Sequence, residues 1–371
     1  MAQGISASGD ILFATRDGQD LNAIWNQYQE MLAAFNATRQ PLLDLMTFNV
    51  TEIIEDIANA VEEDFEQASE FGLPKSIRPV TTIQQRAYDF NWYDVGTRFT
   101  FAYLADAPAS QLDTVHAQMV EADNRLQFRL VMRRLFNNNN NNTLIQGTAY
   151  AAKPLYNADG EFIPNYLTNT FNAATHTHYV VSGAATLDSG DVEQLAGLLE
   201  EHGYKASNGY QVIILMNPAT VTPQLRAWRA GVTNQNSAVA SYDFVPPSGT
   251  NIILPSTVTL FGGQPSSRFA GFDVVGAYGP YLLLQDGNIP VGYLFAFATQ
   301  GNATSTNLIG IRQHVNASLR GLLLRGGDRN DYPIINSTYV HGLGTGIRQR
   351  GSGAIMQITT NGSYTIPAAY V

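Results

Sequence analysis

"PASQLDTVHAQMVEADNRLQFRLVMRRLF", residues 108–136, is the longest helical pattern in the chain. Leu112, Val115, Met119, Ala122, Leu126 and Leu130 recur at spacings of three and four, which marks one face of a 3.6-residue period. Ser110 and Asp113 offer capping side chains at its start, and Arg133 and Arg134 sit in its last turn, where cations favour the helix dipole. At about 1.5 Å per residue, Ser110–Phe136 predicts a rod of roughly 40 Å. Six asparagines, Asn137–Asn142, follow at once. Asparagine is a poor helix former that competes for backbone hydrogen bonds, so the tract reads as a stop and a loop leading into strands from Thr143.

Upstream, "LNAIWNQYQEMLAAF" (21–35) places Leu21, Ile24, Trp25, Tyr28, Met31, Leu32 and Phe35 at helical spacing behind a turn-rich stretch. A tail and one short helix read as an arm that docks elsewhere. In "FNVTEIIEDIANAVEEDFEQASEFGLP" (48–74), Asn49 and Glu52 have capping-box spacing, and Ile54, Ile57, Val61, Phe65 and Ala68 form an apolar stripe. A helix ending at Gly72 and Pro74 is predicted. Its carboxylates, Glu55, Asp56, Glu62, Glu63 and Glu66, read as a solvated or inter-subunit face rather than a cation site. From Thr81 to Leu104 the pattern turns to strands: "YDFNWYDVGTRFTFAYL" (88–104) alternates aromatic and polar residues, and aromatics on such a two-stranded projection need a neighbour's surface or another part of the chain.

Downstream, Asp159-Gly160 is a turn dipeptide, and "THTHYVV" (175–181) sets His176 and His178 on one face of a predicted strand. No third or fourth ligand stands at a recognisable spacing, so the pair reads as structural and no metal site is expected. Asp188 caps a predicted helix closed by Gly203, and "YQVIILM" (210–216) is a buried-type strand. Asn217-Pro218 and Thr222-Pro223 offer helix starts. Strands are predicted at "TNIIL" (250–254), "STVTLF" (256–261), "FDVVGAY" (272–278), "YLLLQD" (281–286), "GYLFAFA" (292–298) and through much of 301–371. The chain is of the α+β class.

Charged residues make up 14% of the 371 residues, against about 25% in an ordinary soluble domain, while 44% are hydrophobic. Three lysines stand against 18 arginines. Interfaces deplete lysine and enrich arginine, and GC-rich coding does the same; both explanations stay open. With no cysteine, disulfides and thiolate metal sites are excluded. The net charge of −10 argues against a nucleic-acid reader. Residues 1–105 hold 15 Asp/Glu against six Lys/Arg, and residues 301–371 hold six Arg against two Asp. Such asymmetry suits the front of one copy meeting the back of another, or is uneven surface charge. No signal peptide or stretch of ~18 apolar residues is read, and the Asn-x-Ser/Thr sequons are taken as chance. "GLGTG" (342–346) lacks the dinucleotide-fingerprint spacing, "RGSGA" (350–354) lacks the nucleophile elbow, and no P-loop occurs. No catalytic, cofactor-binding or metal residue is assigned, and no enzyme activity is expected.

The order of arm, acidic and aromatic projection, long helix, α/β section and returning strands resembles the major capsid proteins of tailed bacteriophages, the Hong Kong 97-type fold. "FEQASEFGLP" (65–74), "WYDVGTRFTF" (92–101), "HTHYVVSGAATLD" (176–188) followed by "EHGY" (201–204), and "HGLGTGIRQRGSGAIMQIT" (341–359) look like segments of capsid proteins from phages of actinobacteria. The resemblance implies an N-arm at 1–49, an extended loop at 50–105, and a peripheral domain starting at 106–185 with its spine helix at 110–136. It implies a mostly axial domain at 186–335 and peripheral return strands at 336–371. It implies an icosahedral shell built from pentamers and hexamers of this chain around double-stranded DNA held without sequence-specific contacts. A portal protein, a separate scaffolding protein or none, and in some relatives a decoration protein accompany such shells; no membrane is involved. Assembly in the host bacterial cytoplasm and residence in the virion follow. Lys75, Trp92, Arg348 and Arg350 are candidate inter-subunit contacts, and Lys75 is the one candidate donor for a Lys–Asn cross-link, with no partner matched. Alternative readings are an encapsulin-like nanocompartment, a β-rich carbohydrate-active protein and a tail component.

Overall fold

The computed structural model describes residues 14–38, 40–60, 67–68, 70–73, 81–145, 147–221, 223–248, 264–326 and 334–371. In chain order these form α1 (Leu21–Ala37), α2 (Pro41–Met46), β1 (Thr47–Val50), β2 (Ile54–Ala60), β3 (Thr81–Ala87), β4 (Asn91–Thr100), α3 (Phe101–Asp106) and α4 (Ala109–Phe136). Then follow β5 (Asn141–Ile145), β6 (Thr148–Ala152), β7 (Tyr179–Val181), α5 (Ser189–Glu200), β8 (Gln211–Met216), β9 (Phe244–Val245), β10 (Arg268–Phe269), β11 (Phe272–Tyr278) and β12 (Tyr281–Gln285). The chain closes with β13 (Tyr293–Thr299), β14 (Ile309–Gln313), β15 (Leu322–Gly326), β16 (Ile334–Ile347) and β17 (Gly353–Gln357).

Two larger sheets carry the structure. One runs β10-β11-β12-β8-β13-β17-β7, with β9 on β11. The alternation of β8 divides its two faces. Ile213 and Leu215 look into a cluster with Leu284, Phe295, Phe297 and Ile355, which takes in α2 and the end of α4 through Met46, Met132, Leu135 and Phe136. Val212, Ile214 and Met216 look the other way, onto Val192, Leu195, Ala196 and Leu199 of α5 and onto Trp228 and Phe244. The other sheet is organised by β16: β4 runs along one edge from Leu343 to Ile334, while β15 and β14 share the other. β1 adds to β14 in parallel. Two hairpin-like pairs, β2-β3 and β5-β6, complete the set.

The long helix stands where the periodicity puts it, with a different cap and a more polar face. Ser110 and Asp113 do not cap it; the N-cap is Pro108, which has no side-chain acceptor. The Asp17 carboxylate reaches across from the arm to accept from the Ala109 amide at 3.2 and 3.3 Å. Asp113 instead accepts from the Tyr28 hydroxyl at 2.8 Å, which holds α1 against α4. Leu112 is buried, but so are His116 and Asp123, each matched by β16: His116 Nδ1 to the Tyr339 hydroxyl at 2.8 Å, Asp123 to His341 Nδ1 at 2.6 Å. The helix ends at Phe136 as expected. Asn137 Oδ1 accepts from the Asn139 amide, an Asx turn, and β5 begins at Asn141, two residues before the expected Thr143.

The helix expected over 49–74 is overturned where the chain is described. Thr47–Val50 and Ile54–Ala60 are strands, and β2 pairs with β3 from Ile54↔Ala87 to Ala60↔Thr81. A strand ribbon wins because β3 supplies the backbone partners that a local helix would have found within itself. The strand expected through Leu104 gives way to α3 at Phe101, whose N-cap Thr100 accepts from the Tyr103 amide. Asn217-Pro218 opens a turn, and Pro223–Ala227 is only a short 3-10 segment. The strands expected at 250–254 and 256–261, the acidic residues 62, 63 and 66, and Lys75 lie outside the described residues.

Candidate assembly contacts and a histidine cluster

Arg348 and Arg350, assigned above to inter-subunit contact, are committed inside their own subunit. The Arg348 guanidinium pairs with Glu55 on β2, donates to the Ser305 carbonyl at 2.9 Å and lies over the Phe48 ring. Glu55 also accepts from the Tyr88 hydroxyl at 2.9 Å. The Arg350 side chain is 0% exposed. Its Nε donates to the Pro154 carbonyl, its Nη2 to the Leu155 carbonyl, Asn157 and Asp159, and its Nη1 to Asp159 and Glu161. Glu161 is shared with Arg86 of β3 at 2.7 Å, and Lys153 holds Asp159 at 2.7 Å. Burial works against charge on Asp159, but the hydrogen bond from Lys153 and the Arg350 guanidinium outweigh it and hold its carboxyl down to about 2. Both arginines therefore clamp the base of the β2-β3 ribbon to the strands that return from the C-terminal part.

Trp92 alone of the four candidates is both described and substantially exposed, at 48%. It packs edge-on against Phe90 and tilts against His314, leaving its outer surface open. Phe71 and Leu73, in the span between β2 and β3, are exposed at 94% and 96%. Ile83 on β3 is exposed at 62%, so among the described residues this ribbon and its connecting span present exposed apolar groups.

The "GLGTG" stretch serves backbone packing. Gly342, Gly344 and Gly346 alternate on one face of β16. The chain from β3 to β4 crosses directly over them: a Cβ at Gly342 would meet Phe90 and Trp92, one at Gly346 would meet Tyr88 and the Ala87 carbonyl, and one at Gly344 would fall on the Asp89 carbonyl. Asp89 is held there by the Thr345 amide and by Arg134 of α4 at 2.6 Å.

His176 and His178 do not stand alone. The turn after α5 brings His202 to them, and the three Nε2 atoms form a triangle with edges of 2.9, 3.1 and 3.2 Å. Glu201 adds a carboxylate oxygen 3.6 Å from His176 Nε2. All four ligand-capable atoms lie within 4.8 Å of one another. Each side chain is held by a different local device. His178 precedes β7 and is fully buried, with Nδ1 2.7 Å from the Gly353 carbonyl. Its ring therefore donates from Nδ1 and turns a bare Nε2 lone pair into the triangle. His176 sits in the turn set by Asn172, whose carbonyl accepts from the His176 amide. The capping box of Asp188 and Asp191 starts α5, and Gly203, at φ 87°, reverses the chain just past His202. Phe171 stacks on His202 at 4.2 Å, and Tyr156 lies 5.2–5.7 Å from all three rings. Burial pushes the His178 ring far below its ordinary range, His202 down to about 3, and lowers His176 as well; burial raises Glu201. Burial thus disfavours the charged form of all three imidazoles. The sequence reading missed His202, 24 positions from His178; the one available signal was that three of the chain's six histidines fall in the adjacent segments "HTHYVV" and "EHGY".

Among the described residues no helix is long and apolar enough to cross a membrane. No family model matches the chain, and no curated protein matches it. Among solved structures, the chain is similar to one from Mycobacterium phage Patience, with 39% identity over 100% of this chain and 97% of that one and a TM-score of 0.78. It is more distantly similar to the mature capsid of bacteriophage PhiM1, with 7% identity over 87% of each chain and a TM-score of 0.48. The encapsulin of the SrpI complex from Synechococcus elongatus PCC 7942 matches at 11% identity over 88% of this chain and 90% of that one, with a TM-score of 0.43.

Proposed function

Because this chain belongs to the Hong Kong 97-type major capsid proteins of tailed bacteriophages, and so builds the shell of a virion, we propose how its parts serve assembly. Residues 50–105 act as the extended loop that reaches over a neighbouring subunit. The observation that carries this reading is the β2-β3 ribbon: among the described residues it and its connecting span expose Ile83, Phe71 and Leu73, while its base is clamped by Arg348 and Arg350. A stiff base and exposed apolar side chains suit an arm whose binding surface lies on another copy. Trp92 adds a second apolar contact. Residues 1–49 form the N-arm, whose Asp17 cap and α1 packing tie it to the spine helix. Residues 106–185 and 336–371 make the peripheral domain, and 186–335 mostly the axial domain that meets its copies at five- and sixfold axes. The role is structural rather than catalytic. Portal and scaffolding proteins, and in some shells a decoration protein, are partners of the assembly, which proceeds in the bacterial cytoplasm; the DNA inside is held without sequence-specific contacts.

Electron microscopy of the purified chain, with its scaffolding protein if one is needed, tests this reading: closed icosahedral particles are expected, and tubes or dispersed monomers would refute it. DNA-filled rather than enzyme-filled particles separate it from a nanocompartment. Substituting Ile83 by Asp is expected to block shell formation while leaving subunit unfolding within about 0.5 kcal/mol of wild type, because the side chain is exposed in the lone subunit. Normal shells from that variant would show that the ribbon is not a contact. The acidic front is also expected to meet the basic back of a neighbour through residues left over from the internal pairs, such as exposed Arg325. Shells should then melt at lower temperature in molar salt than at about 0.1 M, where charges are screened beyond ~10 Å; identical melting points would assign the contacts to apolar packing.

A further inference from the structure

We propose that His176, His178, His202 and Glu201 bind one divalent transition-metal ion, zinc by preference, which staples the loop before β7 to the end of α5.

The geometry of the lone pairs carries the argument. His178 donates from Nδ1 to the Gly353 carbonyl, so its Nε2 has no hydrogen to offer. His176 and His202 can each point at most one N–H into the triangle from Nε2, and a ring nitrogen that carries a hydrogen there cannot also accept one. At most two of the three edges of 2.9–3.2 Å can then be hydrogen bonds, and at least one pair of nitrogens is left facing like to like, lone pair to lone pair or N–H to N–H, unless all three turn bare lone pairs to a shared cation. A cation accepts all three at once. Glu201 Oε1 makes the same point independently: it is buried, has no hydrogen-bond donor, and faces His176 Nε2 at 3.6 Å. A buried carboxylate oxygen without a donor is costly beside neutral rings and is satisfied by a cation.

The dimensions fit zinc. Nitrogens held at about 2.0–2.1 Å around a tetrahedral ion stand roughly 3.3–3.4 Å apart, so the observed triangle needs to open by only a few tenths of an ångström. Three imidazoles and one carboxylate form a borderline-soft donor set that suits zinc and cobalt over magnesium or calcium. The contact from His178 Nδ1 to a backbone carbonyl is the outer-shell device that fixes tautomer and ring orientation in metal-ligating histidines. An open cleft bordered by Thr168, Asn169, Phe171 and Asn172 reaches His176 and Glu201 and gives an ion a way in. Because the ligands come from two separate segments, the ion would cross-brace a disulfide-free chain at the seam between its peripheral and axial parts.

Assembled shells and unassembled subunits of the full chain, stripped with EDTA, are titrated with zinc chloride and cobalt chloride. Saturable uptake of roughly one ion per subunit, the intense visible bands of four-coordinate cobalt, and a higher unfolding temperature with zinc but not magnesium are expected. The double variant H176Q/H202Q should keep its far-ultraviolet circular dichroism and lose more zinc affinity than the roughly 10–100-fold of an outer-shell change. Absence of the cobalt bands from wild-type protein, or undiminished zinc uptake by the double variant, overturns the site. Should that variant fail to fold, Glu201→Gln serves, since among the described residues its carboxylate accepts no hydrogen bond: weakened zinc binding and an altered cobalt spectrum support the site, and an unchanged spectrum overturns the four-ligand assignment.

Discussion

Replacing Gly344 by alanine is expected to prevent the chain from reaching an assembly-competent fold. The added Cβ would fall on the backbone carbonyl of Asp89, so no rotamer change clears it. Nor can that backbone step aside cheaply. The Asp89 carboxylate is held by the Thr345 amide and by Arg134, itself buried at the end of α4, and Arg312 donates to the Tyr88 carbonyl at 3.1 Å. Moving residues 88–90 means breaking a charged contact or parting β4 from β16. Overpacking ordinarily costs about 1–3 kcal/mol, and a rigid obstacle pinned on both sides puts this change at or above the top of that range. Gly96 on β4 is the matched control: nothing lies within 4 Å of its Cβ position, so Gly96→Ala should leave subunit unfolding within about 0.5 kcal/mol of wild type. Chemical unfolding of purified subunits decides the matter. A Gly344→Ala subunit as stable as the Gly96→Ala one would mean that the crossing is slack and that the glycine stripe has another cause.

The same crossing shows what could be read from the sequence and what could not. α1, α4, α5, β8 and β11 to β13 stand at their expected positions, because each buries a face against something with its own period. The family resemblance rested on the order of such segments, which survives loss of detail. "GLGTG" was legible only as a motif that failed, since its glycines answer to residues 87–92, some 250 positions earlier. The β2 strand was misread because "IEDIANA" has apolar residues at helical spacing, and its partner β3 lies beyond an intervening 20 residues. Ile54, Ile57 and Ala58 read locally as a helix face, and nothing within that span points to the distant partner that makes it a strand. His202 was invisible for a related reason: metal-type clusters assemble in space, and the segment between His178 and His202 includes a whole helix. For Arg348 and Arg350, read as candidate inter-subunit contacts, composition cannot tell an arginine that waits for a neighbour from one that clamps its own chain, and both have partners within it.

That distinction has a measurable size at Arg350. Truncation to alanine is expected to destabilise the subunit by about 3–5 kcal/mol, the range for removing one partner of a buried ion pair. Asp159, 8% exposed at its side chain, would keep Lys153 but lose two hydrogen bonds, while Glu161 would keep only Arg86. The Pro154 and Leu155 carbonyls and Asn157 would each lose a donor, and the Tyr156 ring would lose the guanidinium 4.9 Å from its centre. Arg350→Lys restores the charge but not the planar fork, so it should recover part of the stability only. The clamp also carries a pH signature. The carboxyl of Asp159 sits at about 2 in the folded chain, below its ordinary value of 3.8. Its contribution is therefore complete above pH 4 and is lost as the pH falls from 4 towards 2, because the unfolded chain takes up the proton first. Arg350→Ala subunits should show a shallower loss of stability across that window than wild type. The consequence for assembly follows from the link through Glu161 to Arg86: loosening Arg350 frees β3, and the ribbon leaves its base with a spread of angles. Shells from Arg350→Lys should then form with lower yield than wild type even at temperatures where the subunit remains folded. Full yield under those conditions would confine Arg350 to stability and detach the clamp from assembly.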